Sequence, residues 1–183
     1  MRIVAGIHGG RRLKSPSGLR VRPTPDKVRE ALYSILGDRT FDATVLDLFA
    51  GTGAIGLEAL SRGARFVHFV EQSSQVRRVI KENVDDLKLG PKVEILAGKI
   101  PQCLDRIARS VPPFDLIFAD PPYGKGYPEA LLSDPSLELL LVPGGMLILE
   151  LPKGEEPESG RWQRLDVRHY GDTLLSFYKL ITR

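Results

Sequence analysis

Residues 45–56 read Val45-Leu46-Asp47-Leu48-Phe49-Ala50-Gly51-Thr52-Gly53-Ala54-Ile55-Gly56, and two structural patterns meet within them. The apolar run 45–49 predicts a buried strand, and the apolar spacing after Gly53 predicts a helix. Gly51 and Gly53 permit a sharp turn and let a ligand approach the backbone, because glycine has no Cβ. The free N–H groups at the helix start favour an anionic or carboxylate-bearing ligand. Since the same spacing matches the G-x-G-x-x-G turn of NAD-binding proteins, the turn alone leaves the ligand open.

Acidic residues at the ends of apolar runs help to identify the ligand of the glycine turn. Asp47 stands just before the glycines, where a hydride-transferring fold usually carries an apolar residue, and its carboxylate can hold a cation or an amine. Glu71 ends the run 66–70, about 20 residues beyond the glycines, where an acid can bind both ribose hydroxyls. A third run, 114–119, ends in Asp120-Pro121-Pro122-Tyr123. Because ligands sit beyond the carboxyl ends of parallel strands, we expect these residues to line one cleft.

Strand and helix patterns alternate after the glycine turn, which predicts a parallel sheet with right-handed crossovers. The last third of the chain differs, because two β-rich stretches flank Gly171-Asp172 and predict an antiparallel hairpin. The polar segment 152–161 leaves no room for a full helix before that hairpin. The predicted helices are 54–62, 73–88, 100–110 and 127–140, and the remaining predicted strands are 66–71, 92–96, 115–119, 146–151, 163–170 and 173–181.

The N-terminal segment is basic. Residues 1–40 carry nine basic and three acidic side chains, a net charge of +6, whereas the remaining chain carries a net charge of −3. Such asymmetry suggests a polyanionic partner at one end. Two short extended runs, 2–7 and 11–14, flank Gly9-Gly10, which is a hairpin signal. We therefore predict a small basic β-arm at residues 1–22, beside a main domain at residues 23–183.

A helix is predicted to follow the arm. Thr24 suits its N-cap, Pro25 its first position and Asp26 its first turn. One apolar face and one polar face follow at helical spacing. The apolar face holds Val28, Ala31, Leu32, Ile35 and Leu36, and Lys27, Arg29 and Glu30 lie off it.

Together these motifs resemble the S-adenosylmethionine-dependent methyltransferases that modify exocyclic amines of nucleic-acid bases. Within them, the Arg-Ile-Val-Ala-Gly…Gly-Arg-Arg-Leu-Lys arm and the Arg-Pro-Thr-x-x-x-Val-Arg-Glu segment resemble the bacterial 16S ribosomal RNA guanine-N2 methyltransferase D family. The resemblance covers nearly the whole chain. It implies a Rossmann-like methyltransferase fold of the α/β class, with a mostly parallel seven-stranded sheet closed by an antiparallel hairpin.

The resemblance also implies the cofactor, S-adenosylmethionine, and the product S-adenosylhomocysteine. Glu71 is expected at the ribose hydroxyls, Gln72 beside the adenine, and Lys99 with Ile100 along the adenine edge. The glycine turn and the Arg-Pro-Thr segment are expected near the methionine part. The expected cofactor-binding residues are Thr24, Asp47, Phe49, Gly51, Gly53, Glu71, Gln72, Lys99 and Ile100.

The Asp-Pro-Pro-Tyr motif is expected to carry the methyl transfer. An exocyclic base amine is a poor nucleophile because its lone pair is delocalised into the ring. Acceptors for its N–H protons, Asp120 and the carbonyl of Pro121, help the lone pair localise. Pro121 and Pro122 fix φ and remove competing donors, so the acceptors stay aimed. Tyr123 can stack on the target base once it has left its neighbours. No covalent intermediate is needed, because orientation supplies most of the rate.

The Asp-Pro-Pro-Tyr motif is compatible with three target amines, adenine N6, cytosine N4 and guanine N2. The arm and the compact chain, which carries no added target-recognition domain, favour RNA guanine. The resemblance then implies guanine 966 of 16S ribosomal RNA, within the 30S subunit or an assembly intermediate. The arm would position RNA phosphates and carry little base specificity. The expected RNA-binding residues are Arg2, His8, Arg11, Arg12, Lys14, Arg20 and Arg22.

Three alternatives stay open at this point. An adenine-N6 methyltransferase of RNA or DNA shares the motif, although a DNA enzyme would need a recognition region. An NAD-dependent oxidoreductase is disfavoured by Asp47 and by the Asp-Pro-Pro-Tyr motif. A catalytically silent RNA-binding module is disfavoured by an intact Asp120 and Glu71.

The cysteine, the histidines and the apolar runs argue against disulfide-rich, metal-binding and membrane proteins. Cys103 is the only cysteine, so no disulfide framework is expected, and it suits a small packing role. His8, His68 and His169 lie in separate segments without ligand spacing, so no metal is expected. No signal pattern opens the chain, and Pro143-Gly144-Gly145 interrupts the longest apolar run. We expect a cytoplasmic monomer.

Overall fold

The computed structural model describes residues 1–16, 24–155 and 157–181. The expected RNA contacts Arg20 and Arg22 lie outside the described residues. The chain divides into two compact units, Met1–Gly98 and Lys99–Arg183, called here the first and second units. None of the helices in the described parts is long and apolar enough to span a bilayer.

The first unit pairs three parallel strands. The β1 strand pairs with β2, which places Asp47 opposite Phe69, and β2 pairs with β3, which places Glu71 opposite Ala97. The elements are α1 (Asp26–Leu36), β1 (Thr44–Asp47), α2 (Ala54–Ser61), β2 (Phe66–Glu71), α3 (Ser74–Asp86) and β3 (Val93–Ala97), with 3-10 turns at Gly37–Thr40 and Gly90–Lys92.

The second unit contains α4 (Leu104–Ser110), β4 (Phe114–Ala119), α5 (Tyr127–Leu132), α6 (Pro135–Leu139), β5 (Leu141–Pro152), β6 (Trp162–Tyr170) and β7 (Thr173–Leu180). The β4 and β5 strands are parallel, whereas β7 is antiparallel to both β5 and β6. The strand order of the sheet is β3-β2-β1-β4-β5-β7-β6. This order confirms the predicted seven-stranded, mostly parallel sheet closed by an antiparallel hairpin.

Trp162 anchors the hairpin inside the second unit. Its side chain is 1% exposed. Its indole Nε1 donates to the carbonyl of Leu132 at the end of α5, at 3.0 Å. A buried indole N–H usually needs such a partner, so this bond fixes where β6 packs.

Three predicted elements in the second unit have wrong boundaries. The predicted helix 127–140 is two helices, because the residue before Pro135 is disfavoured in the α region. Asp134 is extended there, with φ −82° and ψ 116°, and its side chain caps α6 by accepting from Ser136 N. The predicted helix 100–110 begins only at Leu104, and the strand predicted from residue 146 begins at Leu141.

The start of α1 also differs from the prediction. Pro25, not Thr24, is the N-cap residue, and it makes no side-chain cap. Arg29, predicted off the apolar face, is fully buried. Its guanidinium donates to the carbonyls of Thr24 at 2.8 Å and Arg2 at 2.5 Å, and to Asp26 at 2.9 Å. A buried charge is retained when such partners satisfy it, and hydrophobic periodicity cannot reveal those partners.

The N-terminal hairpin forms, but only as one antiparallel bridge between Arg2 and Arg12. Ile3 N donates to Arg11 O at 2.9 Å, and Gly10 N donates to Ile3 O at 2.8 Å. Ile3 is fully buried. The arm is therefore packed against the first unit.

Candidate functional site

The glycine turn lies directly after β1, at its carboxyl end. Gly51 has φ 53° and Gly53 has φ 80°, both in the region that glycine reaches without strain. Ala50 N donates to Val70 O at 3.1 Å, which holds the turn against β2. Gly53 N donates back to Ala50 O at 2.7 Å and closes the turn.

Glu71 joins this turn to the start of α3. Its Oε2 accepts from Gly51 N at 3.2 Å, and its Oε1 accepts from Ser73 N at 2.8 Å. The side chain is half-buried. Because each carboxylate oxygen has further lone-pair capacity, both oxygens can accept again from a pair of ligand hydroxyls. The structure thus brings together two of the predicted site residues, Gly51 and Glu71.

Two residues that stiffen this region were missed by the sequence reasoning. Arg77 on α3 donates through Nη1 to the carbonyl of Glu71 at 2.9 Å and to that of Gln72 at 2.7 Å. Ser73 is the N-cap of α3, and its hydroxyl accepts from Val76 N at 3.4 Å. The Ser73 cap has a sequence signal, serine just before a periodic segment, whereas nothing distinguishes Arg77 from other helix arginines.

Asp47 is buried, with 3% of its surface exposed. Its Oδ2 accepts from Gly56 N in the first turn of α2, at 3.3 Å. Gly56 also lets α2 pack closely on β2, because a Cβ there would collide with the side chains of Phe69 and Val67. Asp47 therefore ties the end of β1 to the start of α2, and its contact with the methionine part of a cofactor stays a prediction.

Burial, together with the negative charge of Glu71, raises the pKa of Asp47 to about 7, against the opposing effect of the hydrogen bond from Gly56 N–H. Because this value lies above the 3.8 of an ordinary Asp carboxyl, the native state holds the proton more tightly than the unfolded state. The free energy of unfolding should therefore fall as pH rises through the window from about 4 to 7, by at most about 1.4 kcal/mol per pH unit.

Replacing Asp47 with Asn should remove this pH dependence, because the amide keeps an acceptor for Gly56 N–H but does not titrate. Relative to wild type, the Asp47→Asn variant should gain stability between about pH 4 and 7, with no further gain above that window. Urea unfolding at pH 5, 6, 7 and 8 measures the difference. Parallel stability curves for the two proteins would contradict the assignment.

The other expected cofactor residues differ in exposure. Thr24 is buried, and its carbonyl accepts a hydrogen bond from Arg29. Phe49 is half-buried, and Gln72 is exposed.

In the second unit Lys99 is exposed and Ile100 is buried. The carbonyl of Lys99 accepts from Cys103 N at 3.1 Å. Their contacts with a cofactor stay predictions.

The Asp-Pro-Pro-Tyr motif begins where β4 ends, at the carboxyl end of the strand, as the sequence predicts. Asp120 and Tyr123 are half-buried, Pro121 is buried and Pro122 is exposed. The strand therefore carries one acid at its end, partly open to solvent and followed by two rigid residues.

The basic side chains of the arm are not equivalent. Lys14 pairs with Asp86 at 3.0 Å and with Glu82 at 3.4 Å, and Arg2 pairs with Asp26 at 3.2 Å. The Arg11 guanidinium donates to the carbonyl of Asp86 at 3.1 Å, and Arg12 is exposed. Burial and the charge of Arg11 lower the pKa of His8. Arg11 and Arg12 are thus the arm residues whose charge is least neutralised by carboxylates among the described residues.

Metal-ligating side chains are scattered. Within the described ranges, no three His, Cys, Asp or Glu residues are grouped so that they could hold a metal ion.

The chain is similar to known proteins along nearly its whole length. The model of the family described as "Conserved hypothetical protein 95" matches residues 1–179. The protein named "Putative rRNA methyltransferase YlbH" of Bacillus subtilis is 33% identical over 181 residues, which cover 98% of each chain. "Ribosomal RNA small subunit methyltransferase D" of Escherichia coli is 35% identical over 133 residues, 73% of this chain and 65% of that protein. A solved structure of a hypothetical protein from Thermus thermophilus is 31% identical with a TM-score of 0.81, covering 98% of this chain and 99% of that one.

Proposed function

We propose that this chain, which belongs to the family described as conserved hypothetical protein 95, is a methyltransferase that modifies small-subunit ribosomal RNA and uses S-adenosylmethionine. Membership rests on the family match along residues 1–179 and on curated relatives with names that state rRNA methylation.

The bridging carboxylate of Glu71 is the observation that carries the proposal. It stands at the end of β2 and accepts from Gly51 N and Ser73 N, so its orientation is fixed before any ligand arrives. An acid at this position, about 20 residues after a glycine turn, suits the two hydroxyls of a ribose. S-adenosylmethionine supplies a ribose, and its activated methyl group is the group transferred.

The acceptor side of the reaction is assigned to Asp120. Its carboxylate and the carbonyl of Pro121 accept hydrogen bonds from the two N–H groups of an exocyclic amine, which localises the lone pair toward the methyl group. Transfer forms an N–C bond and breaks the S–C bond, leaving S-adenosylhomocysteine and a protonated amine that loses its proton. Tyr123 stacks on the base after it leaves its neighbours.

We assign the substrate as the N2 amine of a guanine in 16S ribosomal RNA, at position 966, presented by a 30S subunit or an assembly intermediate. An unstacked loop base suits the way that proteins read RNA. This substrate implies work in the cytoplasm, and the chain is proposed to act there as a monomer. Methylation of adenine N6 is the competing outcome.

Methyl transfer from labelled S-adenosylmethionine tests the proposal. Free 16S RNA, 30S subunits and genomic DNA are offered side by side, with the RNA taken from a strain that lacks this protein, and the modified nucleoside is identified after digestion. We expect N2-methylguanosine from the small-subunit samples. N6-methyladenine would overturn the base, and label in DNA alone would overturn RNA as the substrate.

Replacing Arg11 and Arg12 with Gln should weaken RNA binding and flatten its salt dependence. Two lost phosphate contacts should reduce the slope of log K against log salt by about 1 to 2. Filter binding between 50 and 200 mM salt, the range over which such contacts are strongly screened, measures the slope. Arg106→Gln with Arg109→Gln on α4 removes the same charge elsewhere and is the matched control. Equal slopes for the two double variants would contradict a specific role for the arm.

A further inference from the structure

The arm is held by one turn of α2, and a buried acid lies at its centre. Glu58 is fully buried although it is charged. Its Oε2 accepts from Val4 N at 2.6 Å, and its Oε1 accepts from Ala5 N at 2.9 Å and from Arg62 Nε at 2.9 Å. Burying a carboxylate is costly unless it is paired and hydrogen-bonded, and an apolar residue would fill this space more cheaply. The burial of Glu58 is therefore explained by its hydrogen bonds to the arm and to Arg62.

Ser61 completes the attachment. Its hydroxyl donates to Ala5 O at 2.6 Å and accepts from His8 N at 2.9 Å. Its carbonyl accepts from Ile7 N at 2.8 Å. Gly6 has φ 80°, and a Cβ on it would collide with the Ser61 carbonyl. The arm and α2 therefore approach so closely that only glycine fits at position 6.

On the arm, these contacts use only main-chain atoms of residues 4–8. Ile7, at the turn, is 80% exposed. Hydrogen bonds of the hairpin link Ile3 to Gly10 and Arg11. Because residues 4–8 are held by α2, these bonds also fix the position of residues 10–12. The attachment thus sets where Arg11 and Arg12 stand without neutralising them.

The two ends of α2 have separate tasks in this arrangement. Its first turn follows the glycine turn, and Gly56 N in this turn donates a hydrogen bond to Asp47. Its last turn, from Glu58 to Ser61, holds the arm. A substitution in the last turn of α2 can therefore move the arm while the glycine turn keeps its hydrogen bonds.

We propose that the Glu58–Ser61 turn of α2 is an RNA-arm anchor, in which Glu58 is a positioning residue that holds the arm in the orientation required to bind the RNA substrate. This inference rests on the proposed function. It assigns to Glu58 an effect on RNA affinity that acts through the arm, with no contact to RNA or cofactor.

Three variants test the anchor. Glu58→Gln removes the charge and turns an N–H donor toward an arm N–H that needs an acceptor. Gly6→Ala forces the arm away from Ser61. Gly10→Ala is the matched control, because Gly10 has nearly the same φ, 82°, but a Cβ there meets nothing within 4 Å. The readouts are KM for 16S RNA, the Kd for S-adenosylmethionine and the rate of tryptic cleavage at Arg11 and Arg12.

We expect Glu58→Gln and Gly6→Ala to raise KM for RNA by about tenfold or more and to speed tryptic cleavage of the arm, with the cofactor Kd changed by less than about twofold. Gly10→Ala should raise KM much less than Gly6→Ala. An unchanged KM in Glu58→Gln, or equal effects of the two glycine changes, would overturn the anchor. An equal loss of cofactor affinity would show a purely structural role and would also overturn it.

The two proposals can fail separately. If the wild-type chain transfers no methyl group to any RNA, the proposed function fails. Direct binding of 16S RNA by filter assay then tests the anchor with the same variants, and unchanged RNA affinity in both Glu58→Gln and Gly6→Ala would overturn it.

Discussion

Replacing Asp120 with Ala should lower kcat for methyl transfer by about 10²- to 10⁴-fold, the range expected for loss of a positioned proton acceptor. Asp120 follows the last residue of β4 and is itself followed by two prolines, so its carboxylate is presented by a rigid support. Without it, the amine keeps its lone pair in the base ring and attacks the methyl group slowly. Single-turnover transfer of labelled methyl groups measures the chemical step directly.

A graded series makes the Asp120 prediction sharper. Asp120→Asn keeps one carbonyl acceptor and should fall between wild type and Asp120→Ala. The Kd for S-adenosylmethionine, measured by titration calorimetry, should change little in both variants, since the loss lies in the transition state. Full activity in Asp120→Ala would show that the proposed mechanism is wrong.

Replacing Glu71 with Ala should raise the Kd for S-adenosylmethionine by about 100-fold or more, because two hydrogen bonds to a charged group are lost and each is worth about 1.5–3 kcal/mol. The same change frees Gly51 N and Ser73 N, so the turn and the start of α3 lose their common partner. Titration calorimetry with the cofactor measures the affinity.

The controls for Glu71 separate the carboxylate from its surroundings. Glu94→Gln removes an acid from the neighbouring strand β3 and should leave the affinity near wild type. Ser73→Ala removes only the cap of α3, an interaction typically worth about 1 kcal/mol. If Glu71→Ala binds the cofactor as tightly as Glu94→Gln does, the ribose assignment is wrong.

The alternation of strands and helices could be predicted because buried parallel strands are nearly continuous apolar runs. Strand 66–71 was predicted to the residue, and the Gly171-Asp172 hairpin was confirmed. The error at 127–140 arose because apolar periodicity continues across Pro135, although its ring cannot follow a helical residue without strain. Periodicity thus identified the element type and missed the break.

The positions of some candidate site residues could be predicted from the sequence, whereas their roles stay predictions. The glycines and Glu71 occupy strand ends that the pattern itself defines, and the structure joins them. Glu58 and Arg29 could not be found in this way, because each satisfies backbone groups that are distant in sequence. A charged residue in a helix is read as an ordinary solvated one until its partners are known.

The buried position of Trp162 gives this chain a built-in optical probe. It is the only tryptophan, so tryptophan emission, excited selectively over that of the tyrosines, reports on the second unit alone. Its emission should be blue-shifted while the indole stays dry against Leu132 and should move to longer wavelength when the hairpin leaves α5. Far-UV circular dichroism follows the helices of both units. Coincident denaturation curves from the two signals would mean that both units melt as one cooperative block, and separated curves would give each unit its own transition.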